Sequence, residues 1–169
     1  YLRQFQSMYP NIEAWSNGLF SNCHLRPRTL VVLTYRNQIH GLAVTKDGPS
    51  AKLCHISVRS EARDLGFGSL LARYAADAMR RAGAHTVRVT TSEEVFYEYG
   101  SFFRQLGFSS IDWSVGRYRS CAAEIVWSAT LSRLEYAVDY TNHRLSDSSY
   151  SNNGSDTNRL AGGYAIRSV

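Results

Sequence analysis

Residues 56–69 read ISVRSEARDLGFGS, and they join the end of a predicted strand to the start of a predicted helix. Gly66 and Gly68 stand one residue apart at the start of that helix, where the absence of Cβ atoms lets several backbone N–H groups converge on one anionic group. The dipole of the helix favours the same negative charge. The stretch therefore predicts a phosphate-binding turn.

The spacing of these glycines differs from that of two common nucleotide-binding motifs. A phosphate loop of the nucleotide-hydrolase type needs Gly-Lys-Ser/Thr, which this stretch lacks. The dinucleotide fingerprint needs a third glycine at the position that Leu71 occupies. Both motifs are therefore excluded for this turn.

Upstream of the turn, the sequence predicts three strands that form an antiparallel meander. Apolar runs at 30–35 and 39–44 are separated by the polar pair Asn37-Gln38, which suits a hairpin. Asp47-Gly48-Pro49 is a turn signal, and residues 53–58 then alternate apolar and polar side chains. A short amphipathic helix within residues 11–20 precedes the meander.

Downstream of the turn, the sequence alternates helix and strand. The apolar spacing predicts one helix that ends near Arg81 before Gly83, then a strand at 85–90. Thr91 and Glu94 have capping-box spacing and predict the start of a second helix, which ends at Gly107. Strands at 110–115 and 123–131 follow. We expect an α/β fold of the α+β type, with a mixed sheet and helices on its faces.

Length and composition favour one compact domain with a real core. The chain has 169 residues, 44% of them apolar, and a formal net charge of +5. Residues 1–138 form the predicted domain, and the polar composition of residues 139–169 predicts a flexible or surface-draped tail that supplies no core strand or helix of the cofactor cleft.

Targeting signals and cysteine spacing indicate the compartment. No apolar run approaches the roughly 18 to 20 residues of a membrane helix, and no secretory pattern is present. The three cysteines, Cys23, Cys54 and Cys121, suit neither a disulfide framework nor a local zinc site. We therefore expect a cytoplasmic protein without a metal.

The turn and its flanks resemble the GNAT acyltransferase superfamily. The signature Arg/Gln-x-x-Gly-x-Gly/Ala is matched by Arg63, Gly66 and Gly68, and Val58 stands five residues before the arginine, as in the family's Val-x-Pro-x-x-Arg pattern. Ser60 replaces the usual proline of that pattern. Residues 102–108, FFRQLGF, look like the family's closing Leu-Tyr-Glu-Lys-Leu-Gly-Phe segment.

The resemblance implies a binding site for acetyl-coenzyme A. Backbone groups of Ile56, Ser57 and Val58 would pair with the pantetheine arm, and the turn would hold the pyrophosphate. The further cofactor residues that it implies are Arg63, Asp64, Leu65, Gly66, Phe67, Gly68, Ser69 and Phe103.

The resemblance also implies a mostly antiparallel central sheet with one splayed parallel strand pair. The strand of Val58 would separate from the strand near Val87, and the thioester would lie in the opening. The Val58 N–H would then act as the oxyanion donor, and the acceptor amine would attack without a covalent enzyme intermediate.

Proton transfer needs an acid and a base that the family pattern does not settle here. The family's tyrosine and asparagine are replaced by Phe103 and Phe96, so Tyr99, one helical turn before Phe103, is the candidate acid. Departure of the thiolate without an acid is the alternative. Glu93 is the favoured base, and Glu94 and His55 are further candidates.

The resemblance implies an N-acetyltransferase that transfers an acetyl group from acetyl-coenzyme A to a primary amine. The acceptor is left open among a small amine, a protein amine and an aminoacyl-tRNA, and a homodimer is also left open. The alternative function is a non-catalytic acyl-coenzyme A-binding regulatory or interaction module, which the loss of polar residues at Phe96 and Phe103 would favour.

Overall fold

The computed structural model describes residues 1–6, 11–19, 27–116, 122–134, 157–159 and 164–168. The chain begins with a 3-10 helix, Leu2–Phe5, and a short helix α1, Ile12–Asn17. The predicted meander is confirmed as β1 (Leu30–Tyr35), β2 (Gln38–Lys46) and β3 (Ala51–Val58), with antiparallel pairing throughout.

The hairpin between β1 and β2 turns at Arg36 and Asn37, one residue before the predicted polar pair. Their φ angles are +46° and +61°. Two successive residues in the left-handed region make the tight turn that matches the twist of a hairpin.

A β-bulge in β3 changes which side chains share a face of the sheet. Val44 pairs with His55 and Thr45 pairs with Leu53, so Cys54 is an extra residue with no partner on β2. Leu53, Ile56 and Val58 consequently pack into the same core, although simple alternation would place Leu53 on the opposite face from the other two.

The two predicted helices after the turn are confirmed. α2 spans Phe67–Arg81, and α3 spans Glu93–Gln105. The predicted capping residue of α3 was wrong by one position, because Ser92 is the N-cap and its hydroxyl accepts a hydrogen bond from the Val95 N–H at 3.4 Å. Thr91 instead points into the core, where its hydroxyl accepts a hydrogen bond from Trp127 Nε1 at 2.9 Å.

The sheet opens between its one parallel strand pair. β4 (Thr86–Ser92) pairs with β3 only through Ala51 with Val87 and Lys52 with Arg88. By contrast, β4 pairs with β6 (Ala123–Thr130) over its whole length. β3 and β4 therefore separate toward Val58 and Ser92, which confirms the predicted splay.

The described strands form a single mixed, mostly antiparallel sheet, as predicted. β5 (Ser109–Val115) lies at one edge, and β7 (Thr157–Arg159) lies at the other edge beside β8 (Tyr164–Ser168). The order is β5-β6-β4-β3-β2-β1-β8-β7. α2 and α3 cover one face with the main core, whereas Tyr1, Leu2, Trp15 and Leu19 pack on the other face against Leu42 and Val44.

The region predicted as a polar tail contributes two short strands at the β1 edge of the sheet, away from the opening between β3 and β4. β7 (Thr157–Arg159) pairs with β8 (Tyr164–Ser168), and β8 pairs antiparallel with β1. Ile166 is fully buried in the main core. The pairing with β1 supplies backbone hydrogen bonds that hold this short strand and Ile166 in place, and composition does not reveal them. The predicted boundary at 138/139 lies outside the described residues.

We predict that Ile166→Ala lowers the free energy of unfolding by about 2–5 kcal/mol, because it leaves a cavity beside β1. Val115→Ala is the matched control: Val115 lies on the edge strand and is 75% exposed, so its truncation should change stability by less than about 0.5 kcal/mol. Urea denaturation followed by circular dichroism measures both. Equal stability of the two variants would show that β8 is not docked in solution.

Candidate active site

The turn between β3 and α2 is shaped by two left-handed residues. Asp64 has φ +59° and Gly66 has φ +77°, and Gly66 is the N-cap of α2. The Leu70 N–H donates to the Gly66 carbonyl at 3.1 Å, and the N–H groups of the first turn of α2 point toward the N-terminal end of the helix. These donors and the helix dipole make the turn suitable for a phosphate group.

Gly68 has a packing role as well. A Cβ at this position would lie 3.1 Å from the ring of Phe102 on α3. The glycine therefore lets α3 approach the turn closely. The ring beside the turn is that of Phe102, not that of Phe103.

The edge of β3 that faces the opening carries the backbone of Val58. The Arg59 N–H donates to the His40 carbonyl of β2 at 2.7 Å. Because N–H groups of successive residues point to opposite sides of a strand, the Val58 N–H points away from β2 and toward the opening. The Val58 carbonyl faces the same way and accepts a hydrogen bond from Arg63 Nε at 3.3 Å.

Arg63 connects this edge to α3. Its guanidinium carbon lies 5.8 Å from the ring centroid of the half-buried Tyr99. A hydrogen bond with the Glu98 carboxylate and partial burial raise the pKa of the Tyr99 phenol, while Arg63 acts in the opposite direction. The structure thus brings Val58, Arg63 and Tyr99 together at the opening, with the phenol in its protonated form at neutral pH.

The two positions where the family pattern has polar residues belong to an aromatic cluster. Phe103 is 4% exposed and stacks on Trp127 with the ring centroids 5.5 Å apart. Phe96 packs on Trp127 at 5.3 Å and on Trp113 at 5.1 Å. Phe103 therefore offers little surface to a cofactor, and its predicted contact with coenzyme A stays a prediction.

The candidate bases lie on different elements. Glu93 is the first residue of α3 and is half-buried, whereas Glu94 is exposed. His55 lies on β3, on the face opposite α2, and its Nε2 is 2.7 Å from the Ser57 hydroxyl oxygen. The rings of Phe5 and Trp15 flank this imidazole, with centroids 5.1 Å and 6.4 Å away. Burial lowers the pKa of His55 to about 4.

Comparison of the sequence with the profiles of known protein families identifies the family of this chain. The sequence profile described as the acetyltransferase (GNAT) family matches residues 1–108, which include the whole turn and α3. The chain belongs to the acetyltransferase (GNAT) family. The predicted family, enzyme class and co-substrate are thereby confirmed, so this GNAT protein is an acyltransferase that uses acetyl-coenzyme A.

Solved structures support the same fold for this GNAT chain. An aminoglycoside 6'-N-acetyltransferase complexed with coenzyme A is 14% identical with a TM-score of 0.60, and the match covers 75% of this chain and 86% of that one. The ribosomal-protein-S18-alanine N-acetyltransferase from Escherichia coli is 17% identical, with a TM-score of 0.56 and coverage of 71% and 76%.

A third similar structure is a GNAT family acetyltransferase from Elizabethkingia anophelis with acetyl-CoA bound. It is 16% identical with a TM-score of 0.52, and the match covers 60% of this chain and 74% of that one. No curated protein sequence matches this chain significantly.

The arrangement of metal-ligating side chains and the length of the helices bear on metal binding and membrane insertion. Within the described ranges, no group of three or more His, Cys, Asp and Glu side chains is arranged to hold a metal ion. No helix in the same part of the chain is both long and apolar enough to span a membrane.

Sequence reasoning missed three features of this GNAT site. All three depend on the direction of side chains, which local sequence does not give. They are the contact of Arg63 with the Val58 carbonyl, the proximity of Phe102 to the turn, and the Ser57–His55 pair. One signal was present: in LCHISV, residues 53–58, the apolar positions are first three and then two residues apart. That change in spacing marks the bulge. After it, His55 and Ser57 lie on the face opposite Leu53, Ile56 and Val58.

We predict that the His55 environment makes stability depend on pH. The folded state holds this imidazole with a pKa of about 4, below the ordinary 6.5, so the unfolded state binds more protons between those values. This contribution to stability is complete above about pH 6.5 and is lost as pH falls to about 4, by roughly 2–4 kcal/mol in total.

The measurement is the free energy of unfolding of the wild type and of His55→Gln between about pH 4 and pH 7. Other titrating groups contribute to both proteins, so the difference between the two curves isolates His55. Parallel curves would contradict the buried neutral imidazole.

Proposed function

We propose that this chain is an N-acetyltransferase that transfers an acetyl group from acetyl-coenzyme A to a primary amine by direct attack. The observation that carries the proposal is the position of the Val58 N–H, which faces the opening between β3 and β4 beside the phosphate-binding start of α2. One N–H donor and one anion-binding turn on the same edge suit a thioester joined to a pyrophosphate.

In this proposal the cofactor follows β3 toward α2. The backbone of Ile56, Ser57 and Val58 pairs with the pantetheine amides, and Arg63 with the N–H groups of residues 64–69 binds the pyrophosphate. The limited pairing between β3 and β4 supports this, because backbone groups on the open edge of β3 are available to an extended ligand.

The chemistry uses few side chains. The amine attacks the carbonyl carbon, and the Val58 N–H stabilises the developing oxyanion, a contribution of about 3–4 kcal/mol in comparable sites. Glu93 at the start of α3 is the proposed base, and Tyr99 is the proposed acid for the leaving thiolate. The contact of Arg63 with both Val58 and the Tyr99 ring supports the placement of Tyr99 at the opening.

The acceptor is proposed as a primary amine in general. Two similar structures are named for acceptors with amino groups, an aminoglycoside and an alanine of the ribosomal protein S18. A small amine, a protein amine and an aminoacyl-tRNA are the candidates. A cytoplasmic location and a homodimer stay predictions.

The non-catalytic alternative gains no support from the aromatic substitutions. Phe96 and Phe103 pack against Trp127 as part of the core beneath α3. Neither replacement therefore requires that the cleft has lost its function.

The test of the proposed function is a thiol-release assay with acetyl-coenzyme A and a panel of small amines, amino-terminal peptides and aminoacyl-tRNA. We expect amine-dependent release of coenzyme A and an acetylated product by mass spectrometry. Binding of acetyl-coenzyme A without transfer to any member of the panel would contradict the proposal and support the non-catalytic module.

We predict that Gly68→Glu weakens acetyl-coenzyme A binding by on the order of 100-fold or more, because it puts a carboxylate among the donors for the pyrophosphate. Gly68→Ala is the matched control, since its Cβ meets the Phe102 ring at 3.1 Å without adding charge. We expect that control to lose less than about tenfold. Isothermal titration calorimetry measures affinity, and equal values for both variants would contradict a pyrophosphate at this turn.

We predict that Tyr99→Phe lowers kcat by about 10²–10⁴-fold with little change in acetyl-coenzyme A affinity, as expected when a general acid is removed. The matched control is Tyr97→Phe, on the same helix, because Tyr97 is 73% exposed. A decrease below about tenfold in Tyr99→Phe would show that the sulfur leaves as a thiolate without this acid.

A further inference from the structure

We propose that Ser57 and His55, in place of Glu93, form a relay that takes the proton from the attacking amine. The proposal rests on the acetyl transfer proposed above and specifies the path of one proton within it. It assigns roles to the side chains of two residues of β3. The cofactor binding proposed above uses only the backbone of Ser57.

The pair is built into the strand that carries the oxyanion donor. His55 Nε2 lies 2.7 Å from Ser57 Oγ, and Ser57 directly precedes Val58. The bulge at Cys54 places both side chains on the face opposite α2, where Ser57 pairs with Leu42. The hydroxyl therefore stands beside the opening, on the side away from the helix that would hold the pyrophosphate.

This side is the one from which an amine would reach the thioester. The cofactor, anchored at the start of α2, approaches the opening from the α2 face. The thioester carbonyl carbon of that cofactor then exposes the face that is turned away from α2, which is the face on the side of Ser57. The attacking nitrogen and the Ser57 hydroxyl would thus share the same side of the sheet.

The surroundings keep His55 neutral, so its Nε2 lone pair can accept a proton, although the same burial makes the ring a weaker base than an exposed imidazole. Its ring lies between Phe5 and Trp15, and burial lowers the pKa of the imidazole to about 4. The Tyr1 phenol, whose pKa burial raises, interacts with Ser57 and donates a hydrogen bond to the His40 carbonyl at 3.5 Å.

Other ionisable groups lie on the described residues around this pair, and one of them is Arg28, whose Nη1 donates to Cys54 Sγ at 3.4 Å. His40 lies on β2, and the guanidinium carbon of Arg59 is 5.7 Å from the centroid of the Tyr1 ring. An ion pair between Arg3 and Glu13, at 2.7 Å, links the N-terminal segment to α1.

The proton balance of the relay is simple. The amine nitrogen forms a bond to the carbonyl carbon, and the negative charge on the carbonyl oxygen is stabilised by the Val58 N–H. As that bond forms, one N–H proton passes to Ser57 Oγ while the Ser57 hydroxyl proton passes to His55 Nε2. The C–S bond then breaks, and the thiolate receives a proton from Tyr99. The imidazolium returns its proton through Ser57 to solvent, and the Tyr99 phenolate takes one proton back from solvent, so both residues regain their starting forms.

The first experiment measures the imidazole directly in the full chain. Nitrogen NMR of the labelled histidines, with His55 assigned by comparison with His55→Gln, should show at about pH 7 a neutral His55 with its proton on Nδ1. In that tautomer Nε2 accepts from Ser57. A charged ring, or a proton on Nε2, would overturn the relay without reference to any acceptor.

The second experiment uses the amine from the panel that the wild type acetylates fastest. Ser57→Ala and His55→Gln should each lower kcat by about 10²-fold, with smaller changes in acceptor KM and acetyl-coenzyme A affinity. The deficit should shrink as pH rises, because hydroxide then takes the proton. Ser57→Thr, which keeps a hydroxyl, should recover most of the rate. Ser60→Ala is the control, because Ser60 is exposed and bonded to Glu61.

The outcomes separate the relay from the proposed function. If the wild type binds acetyl-coenzyme A but acetylates no amine, the proposed function fails and the relay fails with it. If the wild type is active and Ser57→Ala and His55→Gln match it at every pH, the relay alone is wrong. Loss of activity only in Glu93→Gln would assign the proton to the carboxylate at the start of α3.

Discussion

Backbone pairing between β3 and β4 stops after two residue pairs, and the site depends on that interruption. A strand edge inside a domain carries N–H and C=O groups that need partners. On β3 one of them, the Val58 carbonyl, accepts from Arg63 Nε. An extended ligand with amide groups suits such an edge, because it continues the ladder that β4 leaves incomplete. The bulge at Cys54 also positions this open edge of β3, because it keeps the Ile56 and Val58 side chains packed against the core under α2.

The second wall of the opening is held by Trp127. Its ring stacks on Phe103 and lies against Phe96, and its Nε1 donates to Thr91, so one side chain ties β6 to both β4 and α3. Aromatic pairs of this kind contribute about 0.5–1.5 kcal/mol beyond the area they bury. Phenylalanine at these two α3 positions therefore has a packing explanation. Tyr99, one turn from Phe103, keeps its hydroxyl toward Glu98 and Arg63.

Sequence patterns predicted the elements and the cofactor turn because those features follow from local periodicity and glycine spacing. The helix cap moved from Thr91 to Ser92 because a tertiary partner, Trp127, took the threonine hydroxyl. β8 was missed because its pairing partner, β1, lies more than 100 positions away in the chain, and that pairing places Ile166 in the core. The direction of Ser57 depends on the bulge, which shifts the face of every residue after it.

The charges at the opening explain why a neutral imidazole suits the acceptor side. The N–H groups at the start of α2 and the Arg63 guanidinium present positive potential to an anionic cofactor. A protonated amine has no lone pair with which to attack, and that potential and the loss of hydration disfavour its charged form at the opening. A permanently cationic histidine on β3 would add to this repulsion. The apolar surroundings of His55 avoid that, because they hold the imidazole uncharged until a proton arrives from the reacting nitrogen.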